Sequence, residues 1–164
     1  VDGSARFVIP GPPIGKGRPR GTVRGGYVRM YTPKKSADWE RSAAMLMSAE
    51  WHQGPEDGPV EVVVLSVAPR PKRLLRKKDP DGLVWKPNKP DGDNIIKCVF
   101  DALVMAGVIR DDAQVVKHEL WDCYAERERG PRVEIVVRGV ASLPLVPDGV
   151  FGTVPVWEGS DGRV

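Results

Sequence analysis

The stretch VEVVVLSVA, residues 60–68, constrains the fold more than any other part of this 164-residue chain, because five of its nine residues are valine. β-Branched residues favour strands, and a nearly continuous apolar run is typical of a strand covered on both faces. The run is far shorter than the roughly 20 apolar residues that a membrane span requires. It therefore predicts a buried central strand with a sheet built around it.

The remaining pattern supplies partners for that strand. Further strands are predicted at Arg6–Pro10, Tyr27–Tyr31, Gln114–Tyr124 and Arg132–Arg138, and helices from Pro33 to about Trp51 and from Asp93 to Ala106. The segment ERERGP between the last two strands predicts that they form an antiparallel hairpin. The fold class is therefore α/β, a single domain with a mixed β-sheet and two main helices over residues 1–140. Residues 141–164 are predicted to be a C-terminal extension of undecided structure.

Each helix carries local signals for its ends and its buried side. Thr32 is predicted to cap the first helix, with Pro33 at its first position, and Gly107 to end the second. The first helix is expected to bury Trp39, Ala43, Leu46 and Met47, and the second Ile96, Val99 or Phe100, and Leu103.

Composition narrows the class of protein. Two cysteines, Cys98 and Cys123, form no disulfide framework, which favours a reducing cytoplasm, and both are expected in the core. With only two histidines, their spacing fits no zinc site. No secretory signal and no membrane association are expected.

The charge is distributed unevenly along the chain. Residues 1–90 carry a net charge of +8 and residues 91–164 one of −5. This difference suggests a surface that binds a polyanion beside a site that binds a cation, and the alternative is a solvated surface of uneven charge.

The acidic residues concentrate in KPDGDNIIKCVFDALVMAGVIRDDAQVVKHE, residues 89–119. Asp91 and Asp93 open the second helix, with Lys97 one turn further along, and Asp111 and Asp112 follow its end. Periodicity does not fix whether the two pairs meet. A helix cap and a solvated turn are the simplest interpretation of each pair alone. A calcium-binding loop is excluded, because Ile95 occupies a ligand position and no glycine follows.

Carboxylates that did meet would need a cation or raised pKa values. Oxygen ligands without histidine or cysteine favour Mg²⁺ or Mn²⁺. Such a site suits phosphodiester hydrolysis, in which Lys97 could contact the phosphate or the attacking water.

The segments KPDGDNIIKCVFDAL and AGVIRDDAQVV resemble the RusA-type Holliday-junction resolvases, endonucleases of phages and prophages. The N-terminal GPPIGKGRPR, YTPKKSADWE and the later GPRVEI are similar to family features too, so the likeness touches most of residues 7–138. It implies a Mg²⁺-dependent homodimer that cuts two strands of a four-way DNA junction symmetrically. By position, Asp91, Asp93 and Asp112 match the metal-binding aspartates, Lys97 matches a catalytic lysine, and Asp111 matches a further acidic position. Gly92 stands where many members have a larger residue.

The resemblance also gives the basic first half a role in holding DNA phosphates. The candidate DNA-binding residues are Lys16, Arg18, Arg20, Arg70, Lys72, Arg73, Arg76, Lys77 and Lys78. Trp85 could stack on an unpaired base, although a core or interface position is the usual place for a tryptophan.

These observations predict a Mg²⁺-dependent, structure-selective DNA endonuclease that acts in recombination and repair inside a bacterial cell. One alternative is a module that binds branched DNA without cutting it. A more distant alternative is a metal-dependent phosphohydrolase of small molecules, which would not need basic residues on two loops.

Overall fold

The computed structural model describes residues 4–140, which form a five-stranded mixed sheet with two helices on one face and a separate two-stranded sheet. The strands are β1 (Ser4–Pro10), β2 (Arg20–Arg24), β3 (Tyr27–Tyr31), β4 (Val60–Ala68), β5 (Val84–Trp85), β6 (Val115–Tyr124) and β7 (Arg132–Gly139). The helices are α1 (Lys34–Glu50) and α2 (Gly92–Met105), and short 3₁₀ turns cover Lys72–Leu74 and Asp112–Gln114. The predicted α/β class is confirmed. The predicted extension of residues 141–164 lies outside the described part of the chain.

The valine-rich strand β4 lies at the centre of the main sheet, whose order is β1-β7-β4-β6-β5. Val60, Val62 and Val64 are fully buried beneath the helices, where they join Ala43 and Met47 of α1 in the core. Each buried aliphatic side chain contributes about 1.5–3 kcal/mol to stability. The predicted central position of this strand is confirmed, but the helices cover only one face of it, and Val63 and Leu65 on the other face are half-buried.

The predicted hairpin between the last two strands is wrong. β4 lies between β6 and β7, parallel to β6 and antiparallel to β7. Insertion of β4 satisfies the backbone hydrogen bonds along both edges of the most apolar strand, which a direct β6–β7 pairing would prevent. The connection over residues 125–131 crosses this strand. Arg132 secures it by donating to both carboxylate oxygens of Glu126 at 2.9 Å, which lowers the pKa of Glu126 to about 2.

Several local expectations also change. The cap position of α1 is Pro33 rather than Thr32, and Leu46 is exposed while Ala44 takes the buried place on that side. Residues 20–24, for which no strand was predicted, form β2, which pairs with β3 in a separate two-stranded sheet. Of the predicted stripe on α2, Ile96, Val99 and Leu103 are buried, and Phe100 is half-buried.

Candidate active site

The first acidic pair lies at the start of α2, which begins at Gly92, one residue before the predicted start at Asp93. Asp91, not Asp93, is the cap residue, yet its side chain accepts no capping hydrogen bond. Asp93 lies in the first turn, and both carboxylates are exposed. The positive end of the helix dipole favours negative charge here. Asp91 thus has the sequence position of a cap but leaves its carboxylate oxygens available.

Lys97 lies one turn after Asp93, with 3.2 Å between its Nζ and an Asp93 carboxylate oxygen. Both side chains are about two-thirds exposed, so water screens the pair. An exposed pair of this kind contributes a few tenths of a kcal/mol. The lysine is therefore beside the acidic pair and free to leave it for a ligand at little cost.

A buried lysine, which sequence reasoning missed, holds the segment that precedes Asp91. The Nζ of Lys86 lies 2.6 Å from Asp122 of β6 and donates to the carbonyl oxygens of Asn88 and Pro90 at 2.5 and 3.3 Å. Ser66 of β4 donates to the same aspartate at 2.8 Å. The signal in the sequence was polar residues at inward positions of two strands. These contacts fix the loop, and hence Asp91, to the sheet.

Gly92 allows the helix start to approach the sheet closely. A Cβ atom at this position would lie 2.6 Å from Cδ2 of Leu120 on β6. That separation is too short for two carbon atoms, so a larger residue would require either the Leu120 side chain or the helix start to move. The residue that departs from the family pattern therefore has a packing role in this chain.

The two residues of the second acidic pair differ in their contacts: Asp111 caps a turn, whereas the Asp112 carboxylate has no partner within the described residues. Asp111 accepts a hydrogen bond from the backbone nitrogen of Ala113 at 2.8 Å, and Gln114 completes a reciprocal capping box. Asp111 was expected to lie in a solvated turn, and its side chain caps the 3₁₀ turn that follows it. Asp112 is exposed, and within residues 4–140 its carboxylate has no hydrogen-bond or ion-pair partner.

The two pairs lie at opposite ends of α2. Its 14 residues separate them by roughly 20 Å, at 1.5 Å per residue. Gly107, with φ of 71°, ends the helix, and the Val108 nitrogen donates to the Leu103 carbonyl oxygen at 3.0 Å. In the part of the chain that the structure describes, no three His, Cys, Asp or Glu side chains are close enough to hold a metal ion. One subunit alone does not bring both pairs together.

Lys16, a predicted DNA contact, instead joins two helices through its side chain. Its Nζ lies 2.7 Å from Glu40 of α1 and also donates to Asp101 of α2. Burial lowers the pKa of Lys16, but the hydrogen bonds and ion pairs to the two carboxylates outweigh burial and raise it above its usual value. Burial and the neighbouring Glu40 raise the pKa of the Cys98 thiol to about 12. We call Lys16, Glu40 and Asp101 the buried ion cluster; it lines one cavity with Asp111 and Asp112.

Arg18 and Arg20 are exposed, and neither forms a salt bridge within residues 4–140. Arg18 lines a cleft together with Asp91, Lys89 and Asn94 at the start of α2. The backbone next to it is held against this helix, because the Lys16 nitrogen donates to the Asn94 carbonyl oxygen at 2.8 Å. One predicted DNA contact therefore shares a cleft with one predicted metal ligand.

In the later basic cluster, residues 70–78, some side chains make structural contacts and others have no ion pair within the described chain. Arg70 donates to backbone carbonyls, among them those of Ala125 at 2.7 Å and Pro80 at 2.5 Å, and Arg76 pairs with Asp79 at 3.0 Å. The exposed basic residues of this loop without an ion pair in the described chain are Lys72, Arg73, Lys77 and Lys78. Trp85 is not a core residue: it is 66% exposed and packs against Trp121, with ring centroids 5.7 Å apart.

Two comparisons with known proteins identify the family of this chain. The family model described as endodeoxyribonuclease RusA matches residues 10–138. The chain is also 35% identical over 142 residues to the uncharacterized protein YqaN of Bacillus subtilis (strain 168), an alignment that covers 84% of this chain and 97% of the relative. Among residues 4–140, no helix has the length and apolar character needed to cross a bilayer. With its matched region spanning both helices, strands β4, β5 and β6, nearly all of β7 and both acidic pairs, the chain belongs to the RusA endodeoxyribonuclease family.

Proposed function

We propose that this protein is a Mg²⁺-dependent endonuclease that cuts four-way DNA junctions as a homodimer. The observation that carries the proposal is the uncommitted carboxylate of Asp91 at the start of α2, next to exposed Asp93 and Lys97. A capping hydrogen bond usually stabilises a helix by about 1 kcal/mol, and the Asp91 side chain does not make this bond. Ligand binding is a function that would account for this arrangement.

The donor set at this helix start fits Mg²⁺. The ion binds proteins through one or two carboxylates and keeps its other positions for water and substrate phosphates. Asp91 and Asp93 would hold it, Asp112 would add a third carboxylate, and Mn²⁺ could substitute. When bound, the ion supplies charge neutralisation at the phosphate and a water of lowered pKa. Lys97 is close enough to Asp93 to contact the same phosphate.

The separation of the acidic pairs supports a homodimer. Two copies of α2 related by a two-fold axis across the helix would run antiparallel. The start of one helix, with Asp91 and Asp93, would then lie near the end of the other, with Asp112. The exposed side of α2 supports this contact, because Val104 and Met105 lie exposed near its end and Val116 of β6 is 61% exposed. Two such sites would cut two symmetric strands.

Cleavage of a labelled four-way junction tests the activity. Wild type should cut paired strands with Mg²⁺ and not with EDTA, and Asp93→Asn should lower the rate at least about a thousandfold, since electrostatic stabilisation by a metal is worth several kcal/mol. Asp38→Asn, which changes a half-buried carboxylate on α1, is the matched control and should retain activity. Normal cutting by Asp93→Asn would refute the proposed site. Tight junction binding without cutting, in either Mg²⁺ or Mn²⁺, would instead indicate the binding module.

Mixing two inactive variants tests the arrangement across subunits. If Asp93 and Asp112 of one site come from different subunits, a heterodimer of Asp93→Asn and Asp112→Asn retains one intact site and nicks one strand. If both come from the same subunit, every site carries one substitution and the mixture stays inactive. Recovery of nicking supports the shared site, and its absence, with subunit exchange verified by native mass spectrometry, contradicts it.

A further inference from the structure

The hairpin formed by β2 and β3 pairs with no other strand of the described chain. Every residue of β3 is exposed, including Tyr27, at 79%, and Tyr31. A two-stranded hairpin is marginally stable by itself, and a chain that exposes large apolar side chains on one normally uses them to bind something. The exposed hairpin therefore has the features of a binding surface.

The strand register divides the hairpin into two unlike faces. Cross-strand partners share a face and successive pairs alternate. Arg20 pairs with Tyr31 and Thr22 with Arg29, and Tyr27 lies on the same face of β3. We call this the arginine–tyrosine face.

The opposite face is apolar. Val23 pairs with Val28, and Gly21 pairs with Met30. A Cβ atom at Gly21 would lie 3.3 Å from both Sδ of Met30 and Cγ1 of Val28, as expected for residues that share a face. We call this the valine face.

The charge around the hairpin favours a polyanion. Residues 4–37 contain eight basic residues and no aspartate or glutamate: Arg6, Lys16, Arg18, Arg20, Arg24, Arg29, Lys34 and Lys35. Arg20 and Arg29 have no ion-pair partner within residues 4–140. Unpaired arginines beside exposed tyrosines match the composition of sites that bind single-stranded nucleic acid, where phosphates meet basic groups and bases stack on rings.

The arginine–tyrosine face is connected to the candidate active site. Arg18 lines the cleft that contains Asp91, and it also lines a neighbouring cleft with Arg20 and Lys35 at the base of the hairpin. Gly15 and Pro90 border both clefts. A DNA strand that lies against Asp91 would therefore pass Arg18 and reach the hairpin without crossing an acidic side chain.

We propose that the arginine–tyrosine face of the hairpin binds unpaired bases at the branch point of the DNA substrate, with Tyr27 and Tyr31 as the stacking residues. The tyrosines are four residues apart on one strand, or roughly 13 Å, so they contact different bases rather than enclosing one. The inference rests on the proposed action on branched DNA and assigns the part of the protein that selects branched over linear substrates.

Binding measured in EDTA tests this inference without cleavage. The Tyr27→Ala/Tyr31→Ala variant should bind a four-way junction at least about tenfold more weakly, since stacking is worth about 1–3 kcal/mol per base. Its affinity for a linear duplex of the same length should change less than twofold. Tyr27→Phe/Tyr31→Phe keeps the rings and should bind like wild type. Val23→Thr/Val28→Thr, on the valine face, is the matched control and should also bind like wild type.

Three outcomes would overturn the inference. The alanine variant could bind the junction as tightly as wild type, or it could lose junction and duplex affinity equally, which would indicate general electrostatic binding. The third is unchanged DNA binding in the alanine variant together with dissociation of dimers in the valine-face variant, which would make the hairpin a contact between subunits. Thermal unfolding of each variant verifies that the core is intact. Failure of wild type to cut junctions would refute the proposed function while leaving this binding result to be judged by itself.

Discussion

Helix α2 carries two groups of charges that use the same residue types in opposite ways. At its start, Asp91 and Asp93 face solvent, and Asp91 has no partner within the described residues. Two turns after Asp93, Asp101 shares the ammonium group of Lys16 with buried Glu40. In the buried ion cluster both carboxylates contact the same ammonium group, so the cluster serves the packing of α1, α2 and the loop. At the helix start the Asp91 carboxylate has no partner among residues 4–140 and Asp93 has only an exposed ion pair with Lys97 there, so both carboxylates are available to a ligand.

Lys16→Met should have the largest effect on stability, because it leaves Glu40 buried without its counter-charge. Breaking a fully buried pair costs 3–5 kcal/mol, and partial exposure of Lys16 and Asp101 reduces the expected loss to about 2–3 kcal/mol. Urea unfolding at pH 7 measures it. The raised pKa of Lys16 means that its contribution is present below pH 10.5 and is lost as the pH rises through the folded-state value. A loss under about 0.5 kcal/mol would show that the cluster is not structural.

Asp111→Ala should have an intermediate effect, and its neighbour provides the control. The side chain of Asp111 caps the turn over residues 112–114, and loss of such a cap costs about 1 kcal/mol. Asp112→Ala removes an exposed carboxylate that caps nothing and should change the unfolding free energy by less than about 0.5 kcal/mol. The rate of junction cleavage should fall more in Asp112→Ala than in Asp111→Ala, since Asp112 is the proposed metal ligand. Equal losses of unfolding free energy in the two variants would contradict the assignment of Asp111 as a cap and of Asp112 as a residue that caps nothing.

The sequence predicted the parts of the fold whose signals are local. The central strand was predicted at Val60–Ala68 as observed, and the end of α2 at Gly107 depends on one left-handed glycine. Strand neighbours were not predictable in the same way. Alternation identifies β6 and β7 as strands, but it carries no information that β4 lies between them. A short connection between two strands favours a hairpin only when no third, more apolar strand can pair with the same strand edges.

The candidate site shows the same limit. A cap and a metal ligand are both an aspartate at a helix start, so only the hydrogen bonds distinguish Asp91, which is uncommitted, from Asp111, which caps. Lys16 resembled its exposed neighbours Arg18 and Arg20 in sequence, and its carboxylate partners lie 24 and 85 residues away. Contacts at that separation depend on the packing of α1 against α2, which no local pattern specifies.

Lys97→Met is the smallest expected effect on stability and the matched control for Lys16→Met, because the same substitution is made on a lysine with the opposite surroundings. Lys97 and Asp93 are both about two-thirds exposed, so loss of the pair should change the unfolding free energy by less than about 0.5 kcal/mol. Junction cleavage should nevertheless fall by about a hundredfold, since a positive group aimed at developing charge is worth about 3 kcal/mol in the transition state. In this variant the unfolding free energy measured in urea should therefore stay near the wild-type value while the cleavage rate falls. A stability loss that equals that of Lys16→Met would mean that the charges at the helix start are structural too.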